Sequence, residues 1–337
     1  MKHLSLLLFI SMSFSIPTFS QFKLGKLGDA LKKNKGVSKV LEGTPAISTC
    51  FADVNTKDTK TPTFGEGKTY KPLSSLKKNE AGNYLLEPGF YETTNLSYCL
   101  KVGTPGPAKG NVYGLAPLNG KMDDIVYAIL LKSQQMWLGN NADSLTGLSG
   151  IGSSLKGIGG IKQKDVQLLL WGIIAKADFT NLSGRTKAVA AALLTPDQLL
   201  KLNGGAIKTV SNLAMDKGWL EKPEALRKIE MAQHSIRDLY RNGNSTFEDF
   251  ERLAVLVGDS DEEQGLPTDM WFKHPNGYYV RFMPRGYPRT LTQVYVPDGN
   301  HSIEFINTGF VATPTDSRQR LAQTNIPASY YDSKFKL

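Results

Sequence analysis

Past its first twenty residues the chain has no apolar run near the ~18–20 residues a membrane span needs. Histidine is scarce. His3, His234, His274 and His301 are far apart and show neither an HExxH pattern nor close Cys/His spacing, which argues against the common zinc sites. The phosphate-loop pattern is also missing: GKT at Gly67–Thr69 has Pro62 where the loop places its first glycine, and GIGSSLKGIGG has no Lys-Ser/Thr ending. Ser149 in GLSGI fails the nucleophile-elbow pattern because Ile151 replaces the last glycine. No helix-turn-helix, zinc finger or aromatic-basic sheet signature indicates nucleic-acid recognition. The acidic pairs Asp123–Asp124 and Asp259–Glu263 fall where a helix start and a solvent loop account for them. No motif therefore calls for a metal, a cofactor or hydrolytic chemistry, and an enzyme is not the expectation. Catalytic groups scattered along the chain stay open, since triads are recognised by geometry rather than by order.

Residues 1–20, MKHLSLLLFISMSFSIPTFS, have the layout of a secretory signal peptide: Lys2 and His3, an apolar stretch, then Thr18 and Ser20 at the expected cleavage point. An exported protein without a transmembrane segment is the expectation, secreted or held in the cell envelope. The formal charge is +9, with lysines clustered in FKLGKLGDALKKNKGVSK and at Lys77 and Lys78. Such a charge suits an anionic polysaccharide or another anionic surface, and equally a merely solvated basic terminus.

The pattern along the chain predicts an α+β protein. Residues 21–61 read as a basic lead-in with one short helix near Leu27–Leu41. Residues 62–118 are dense in turn residues between short strands, with YETTNLSYCL as one strand carrying Cys99. Residues 119–258 form a helical unit: KMDDIVYAILLKSQQMWL has helical spacing, and a flexible Gly/Ser-rich connector, LTGLSGIGSSLKGIGG, follows it. The next helix carries Gln167 and is expected to start at Asp165. TPDQLLKL opens another with Thr195 as cap, Pro196 at the first position and Gln198 completing a capping box. Two further helices are expected to be capped near Glu221 and Ser245. Residues 265–310 predict a small antiparallel β module with three strands, and 311–337 an irregular tail.

Two features carry chemistry. Cys50 and Cys99 are the only cysteines, and in an exported chain two cysteines suggest one disulfide. The second feature is DVQLLLWGIIA, Asp165–Ala175, where Gln167 interrupts an apolar run. An unpaired buried amide costs roughly 2–7 kcal/mol. Its amide must therefore face water, hold hydrogen bonds, or be consumed in a covalent bond.

SYCLKVGTPGP at Ser97–Pro107, GNVYGLAPLNG, an isoleucine-rich helix and then VQLLLW together resemble the thioester domains of bacterial surface adhesins, over about residues 91–175. That family joins a cysteine from a Tyr-Cys strand to a glutamine from a Thr-Gln-x-Ala-Ile/Val-Trp motif, with loss of ammonia. The resemblance implies Cys99 as thiol, Gln167 as acyl donor and Trp171 one helical turn after Gln167. Val166 and Leu169 stand where the family has threonine and alanine. It further implies covalent capture of an amine on a protein or surface partner, and hence an adhesion role. An apolar pocket from Tyr98, Leu100, Leu170 and Trp171 would keep water out, and a helix N-terminus near Cys99 would lower its thiol pKa. The alternative is a non-covalent structural or carbohydrate-binding envelope protein with a Cys50–Cys99 disulfide. In it, Tyr278, Tyr279, Tyr287 and Tyr295 would stack on sugars or serve as ordinary strand residues.

Overall fold

The computed structural model describes residues 45–79, 83–108, 110–138, 160–204, 224–258, 267–299 and 302–335. The leader, residues 21–44 of the lead-in, the helix expected near Leu27–Leu41, residues 145–159 of the connector and the cap expected near Glu221 lie outside them. The protein is α+β. The described residues contain thirteen strands: β1 Thr59–Lys60, β2 Lys71–Pro72, β3 Tyr84–Leu86, β4 Gly89–Cys99, β5 Thr104–Pro105, β6 Tyr113–Pro117, β7 Val255–Leu256, β8 Trp271–Lys273, β9 Tyr279–Pro284, β10 Arg289–Val296, β11 Ile303–Phe305, β12 Phe310–Pro314 and β13 Leu321–Pro327. The helices are α1 Asp123–Leu138, α2 Gln163–Ile174, α3 Gly184–Leu193, α4 Pro196–Gly204, α5 Glu224–Asn242, α6 Phe247–Ala254 and α7 Ala328–Phe335. None of the described helices is long and apolar enough to cross a membrane.

Nine strands form one largely antiparallel sheet in the order β1-β8-β9-β10-β4-β13-β12-β6, with β2 added in parallel to β4. β6 at one end packs against β8 and β9 near the other, so the sheet curls back on itself. The long strand β4 is its axis. β10 pairs along it from Gly89 to Leu96, and β13 pairs with its last third, Leu321 opposite Cys99. Alternation follows from the two-residue strand period. Leu96 and Tyr98 face α1 and α7, whereas Asn95, Ser97 and Cys99 face the inside of the curl.

This topology corrects two expectations. The C-terminal strands are no separate module, because β10 and β13 flank β4 from the N-terminal half. The segment 311–337 is no irregular tail: it supplies most of β12, all of β13 and α7, and every residue of β13 is buried. Its sequence, LAQTNIP, lacks alternation because both faces of β13 are covered and three successive polar residues, Gln323, Thr324 and Asn325, are buried in it with hydrogen-bond partners.

Local signals set several helix starts. Thr195 and Gln198 exchange bonds as predicted, with Thr195 N–H donating to Gln198 Oε1 at 2.9 Å. α6 is capped by Thr246, one residue past the expected Ser245, with Asp249 closing the box. α2 starts earlier than expected. Lys162 is its cap and Asp165 sits in the first turn, accepting from Lys162 N–H at 2.8 Å and holding Arg185 through both oxygens. Just past β4, Gly103 has φ +71° and packs against α5, where an added Cβ would stand 2.6 Å from Ala232 Cβ. Its N–H donates to Ala254 at the end of α6, and β5 then pairs in parallel with β7, which tethers α6 beside the end of β4.

Candidate functional site

β4 outlasts its neighbour. β10 ends its pairing at Arg289, opposite Leu96, and the Ser97 N–H donates a last bond to the Pro288 carbonyl. The strand edge beyond that point is buried, so its polar groups need partners from elsewhere. Helix α2 supplies them from two glutamines one turn apart. Gln163 Nε2 donates to the carbonyls of Ser97 and Pro288 at 3.2 and 3.0 Å. Gln167 takes both groups of Cys99: the Cys99 N–H donates to Gln167 Oε1 at 2.9 Å, and Gln167 Nε2 donates to the Cys99 carbonyl at 3.1 Å. The interruption of DVQLLLWGIIA is thereby explained, since the amide replaces a missing strand. This pairing also orients the amide, because a flipped one would set donor against donor.

Gln167 is 2 % exposed, and Cys99 and Trp171 are fully buried. Trp171, four residues on and on the same helical face, lies 5.5 Å from the Phe247 ring and 6.2 Å from that of Tyr287. Tyr287 is fastened beside Cys99 through its backbone, its carbonyl accepting from Ser97 Oγ at 2.8 Å, and its hydroxyl donates to Glu251 on α6. Phe247, Glu251 and Tyr287 are only half-buried, so the thiol and amide lie about one side-chain layer beneath the surface.

The structure brings Cys99, Gln167 and Trp171 together, with Leu170 buried on the same helix. It removes Tyr98 and Leu100 from the expected pocket. Tyr98 points to the opposite face of β4, beside Ser133 and Tyr331, as strand alternation requires, and Leu100 shares its parity. The enclosing groups that sequence reading missed are Phe247, Glu251, Tyr287 and Tyr113. None has a sequence signal, because they come from three distant parts of the chain: Tyr113 from β6, Phe247 and Glu251 from α6, and Tyr287 from the turn between β9 and β10.

The expected depression of the Cys99 pKa is reversed. Burial pushes the thiol well above its ordinary range, and the Glu251 carboxylate pushes the same way. Gln167 is the fifth residue of α2, beyond the first turn in which the end field acts. The Cys50–Cys99 disulfide is also not formed: both cysteines are free. Cys50 is half-buried before the short turn Phe51–Asp53, its N–H donating to Asp53. The four tyrosines proposed for sugar stacking share no face. Tyr278 is buried against His274, and Tyr287 belongs to the thiol pocket, while Tyr279 and Tyr295 pair across β9 and β10. Among the described residues no group of His, Cys, Asp and Glu is arranged to hold a metal ion. In comparison with known proteins, no family model, no curated protein and no solved structure matches this chain.

Proposed function

We propose that the chain is an exported adhesion protein whose Cys99 and Gln167 close into an internal thioester that captures amines covalently. The observation that carries this reading is the reciprocal pairing of the Gln167 amide with the Cys99 backbone inside a dry aromatic enclosure. The thiol hangs from the same Cα whose N–H and carbonyl hold the amide. Side chains leave a strand out of the sheet plane, whereas an amide bonded to a strand edge lies near it. The sulfur thus stands to one side of the plane in which the amide lies, the side from which a nucleophile would add. The Cys99 N–H, already 2.9 Å from Gln167 Oε1, is placed to hold the charge that develops on that oxygen.

Closure forms the S–C bond, breaks the Cδ–Nε2 bond and releases ammonia carrying the thiol proton. An attacking amine then forms an amide at Cδ and returns the free thiol. Exclusion of water lets the bond persist until a partner arrives. Lysine side chains on a protein, or amines on a surface polymer, are the targets of matching chemistry.

A second reading has its own observation. Gln163 serves Ser97 one turn earlier without any thiol nearby, so both glutamines act as clamps between helix and strand in a non-covalent binding protein. Intact mass of the purified protein separates the two. Loss of one ammonia, followed on methylamine treatment by the gain of one whole methylamine and a newly titratable thiol, supports the thioester. An unmodified mass with two titratable thiols after denaturation overturns it and leaves the clamp.

A further inference from the structure

A buried thiol and a carboxamide do not combine unaided: the thiol must lose a proton and the leaving nitrogen must gain one. Among the polar groups around the enclosure, the Tyr287 hydroxyl and the Glu251 carboxylate are the two bonded directly to each other, a proton donor held on a base. Tyr287 is the residue whose carbonyl is bonded to Ser97, two residues before Cys99 and on the same face of β4. Its ring sits against Trp171, and its hydroxyl is committed to the Glu251 carboxylate, which leaves the phenol oxygen free to accept.

Resting on the thioester reading, we infer that Tyr287 and Glu251 form the proton-handling pair for closure of the Cys99–Gln167 bond. The thiol proton passes to the Tyr287 oxygen as the Tyr287 proton passes to Glu251. The thiolate adds to Gln167 Cδ, and the proton returns along the same path to Nε2, which departs as ammonia. Atoms and charge balance with no external reagent. Electrostatics agree with the placement: burial raises both the Cys99 and the Tyr287 pKa, and each of these groups also feels the Glu251 charge. Glu251 acts through Tyr287 and is a positioning residue. α6 holds it there, tethered at one end by the Thr246–Asp249 box and at the other by β7.

The test follows intact mass against time after cell-free synthesis of the full chain, for wild type, Tyr287→Phe, Glu251→Gln and Glu251→Asp. General acid–base assistance typically contributes 10²–10⁴-fold, so Tyr287→Phe and Glu251→Gln are expected to slow ammonia loss at least about tenfold, with Glu251→Asp recovering part of the rate. Tyr287→Phe keeps the ring against Trp171, and its unchanged Tm separates chemistry from folding. Closure of both variants at the wild-type rate overturns the proton pair and leaves the thioester intact. A wild-type chain that never loses ammonia overturns the thioester and the pair together.

Discussion

The two ends of β4 each carry an aromatic cluster, and they differ in what the rings enclose. At the Cys99 end, Trp171, Phe247 and Tyr287 close over a thiol and an amide that meet no water. At the Gly89 end, Phe90 stacks on Tyr295 at 4.7 Å, and Phe64 and Trp271 pack against them edge-on. There the rings are capped by cations: Lys60 over Phe64 and Tyr279, Lys68 over Phe90, Arg281 over Trp271. Aromatic density alone therefore does not mark a reactive site. Both clusters bury apolar area, but only the Cys99 end closes it over a thiol and an amide paired to a strand edge, and burial raises the stakes of every hydrogen bond there.

Gln167→Met is the sharpest way to break this contrast. It keeps the side-chain volume close to that of glutamine while orphaning the Cys99 N–H and carbonyl, and each buried orphan costs about 1–3 kcal/mol. We expect a loss of about 2–5 kcal/mol in urea unfolding. A loss below about 1 kcal/mol would mean that water reaches the strand edge.

The wing that carries the open cluster buries a histidine, and acid should find it. His274 stacks on Tyr278 at 4.1 Å, and burial holds its pKa down from 6.5 to about 3. Between those values the unfolded chain binds a proton that the folded chain refuses. Stability should therefore fall as pH drops from 6.5 toward 3, by about 3 kcal/mol near pH 4. In His274→Phe this slope should flatten in denaturant titrations across that range.

At the open end itself, effects should be smaller. Phe90 is half-buried, and Phe90→Ala should cost about 1–2 kcal/mol, short of the ~3–5 kcal/mol typical of a fully buried ring. Lys60→Ala should cost about 1 kcal/mol or less, the order expected of a half-buried cation over a ring. If chemical denaturation ranks Lys60→Ala level with Gln167→Met, the distinction between the two ends is wrong.

Much of the architecture was legible residue by residue. The β4 strand, the α1 helix and the Thr195–Gln198 box stood out because their signals are local: a period or a cap uses neighbours a few residues apart. β13 was missed for the opposite reason: its run Gln323, Thr324, Asn325 reads as polar loop, and the partners that let it be buried on both faces come from distant segments. Tyr98 was placed in the wrong pocket because sequence proximity to Cys99 outweighed strand parity. At the candidate site, Gln167 was visible as a polar residue out of place. Its partner became definite only when β10 was seen to stop short of Cys99, a matter of tertiary register.

Sequence by itself determined several periodic elements, the Thr195–Gln198 capping box, the scarcity of cysteine and histidine, and the presence of an amide out of place in an apolar run. Those depend on short-range chemistry. Tertiary structure decided which edge that amide would repair, left Cys50 and Cys99 apart, and gathered Phe247, Glu251 and Tyr287 around the thiol. Such outcomes depend on where strands of different length run out beside one another, and no window of neighbouring residues contains that information.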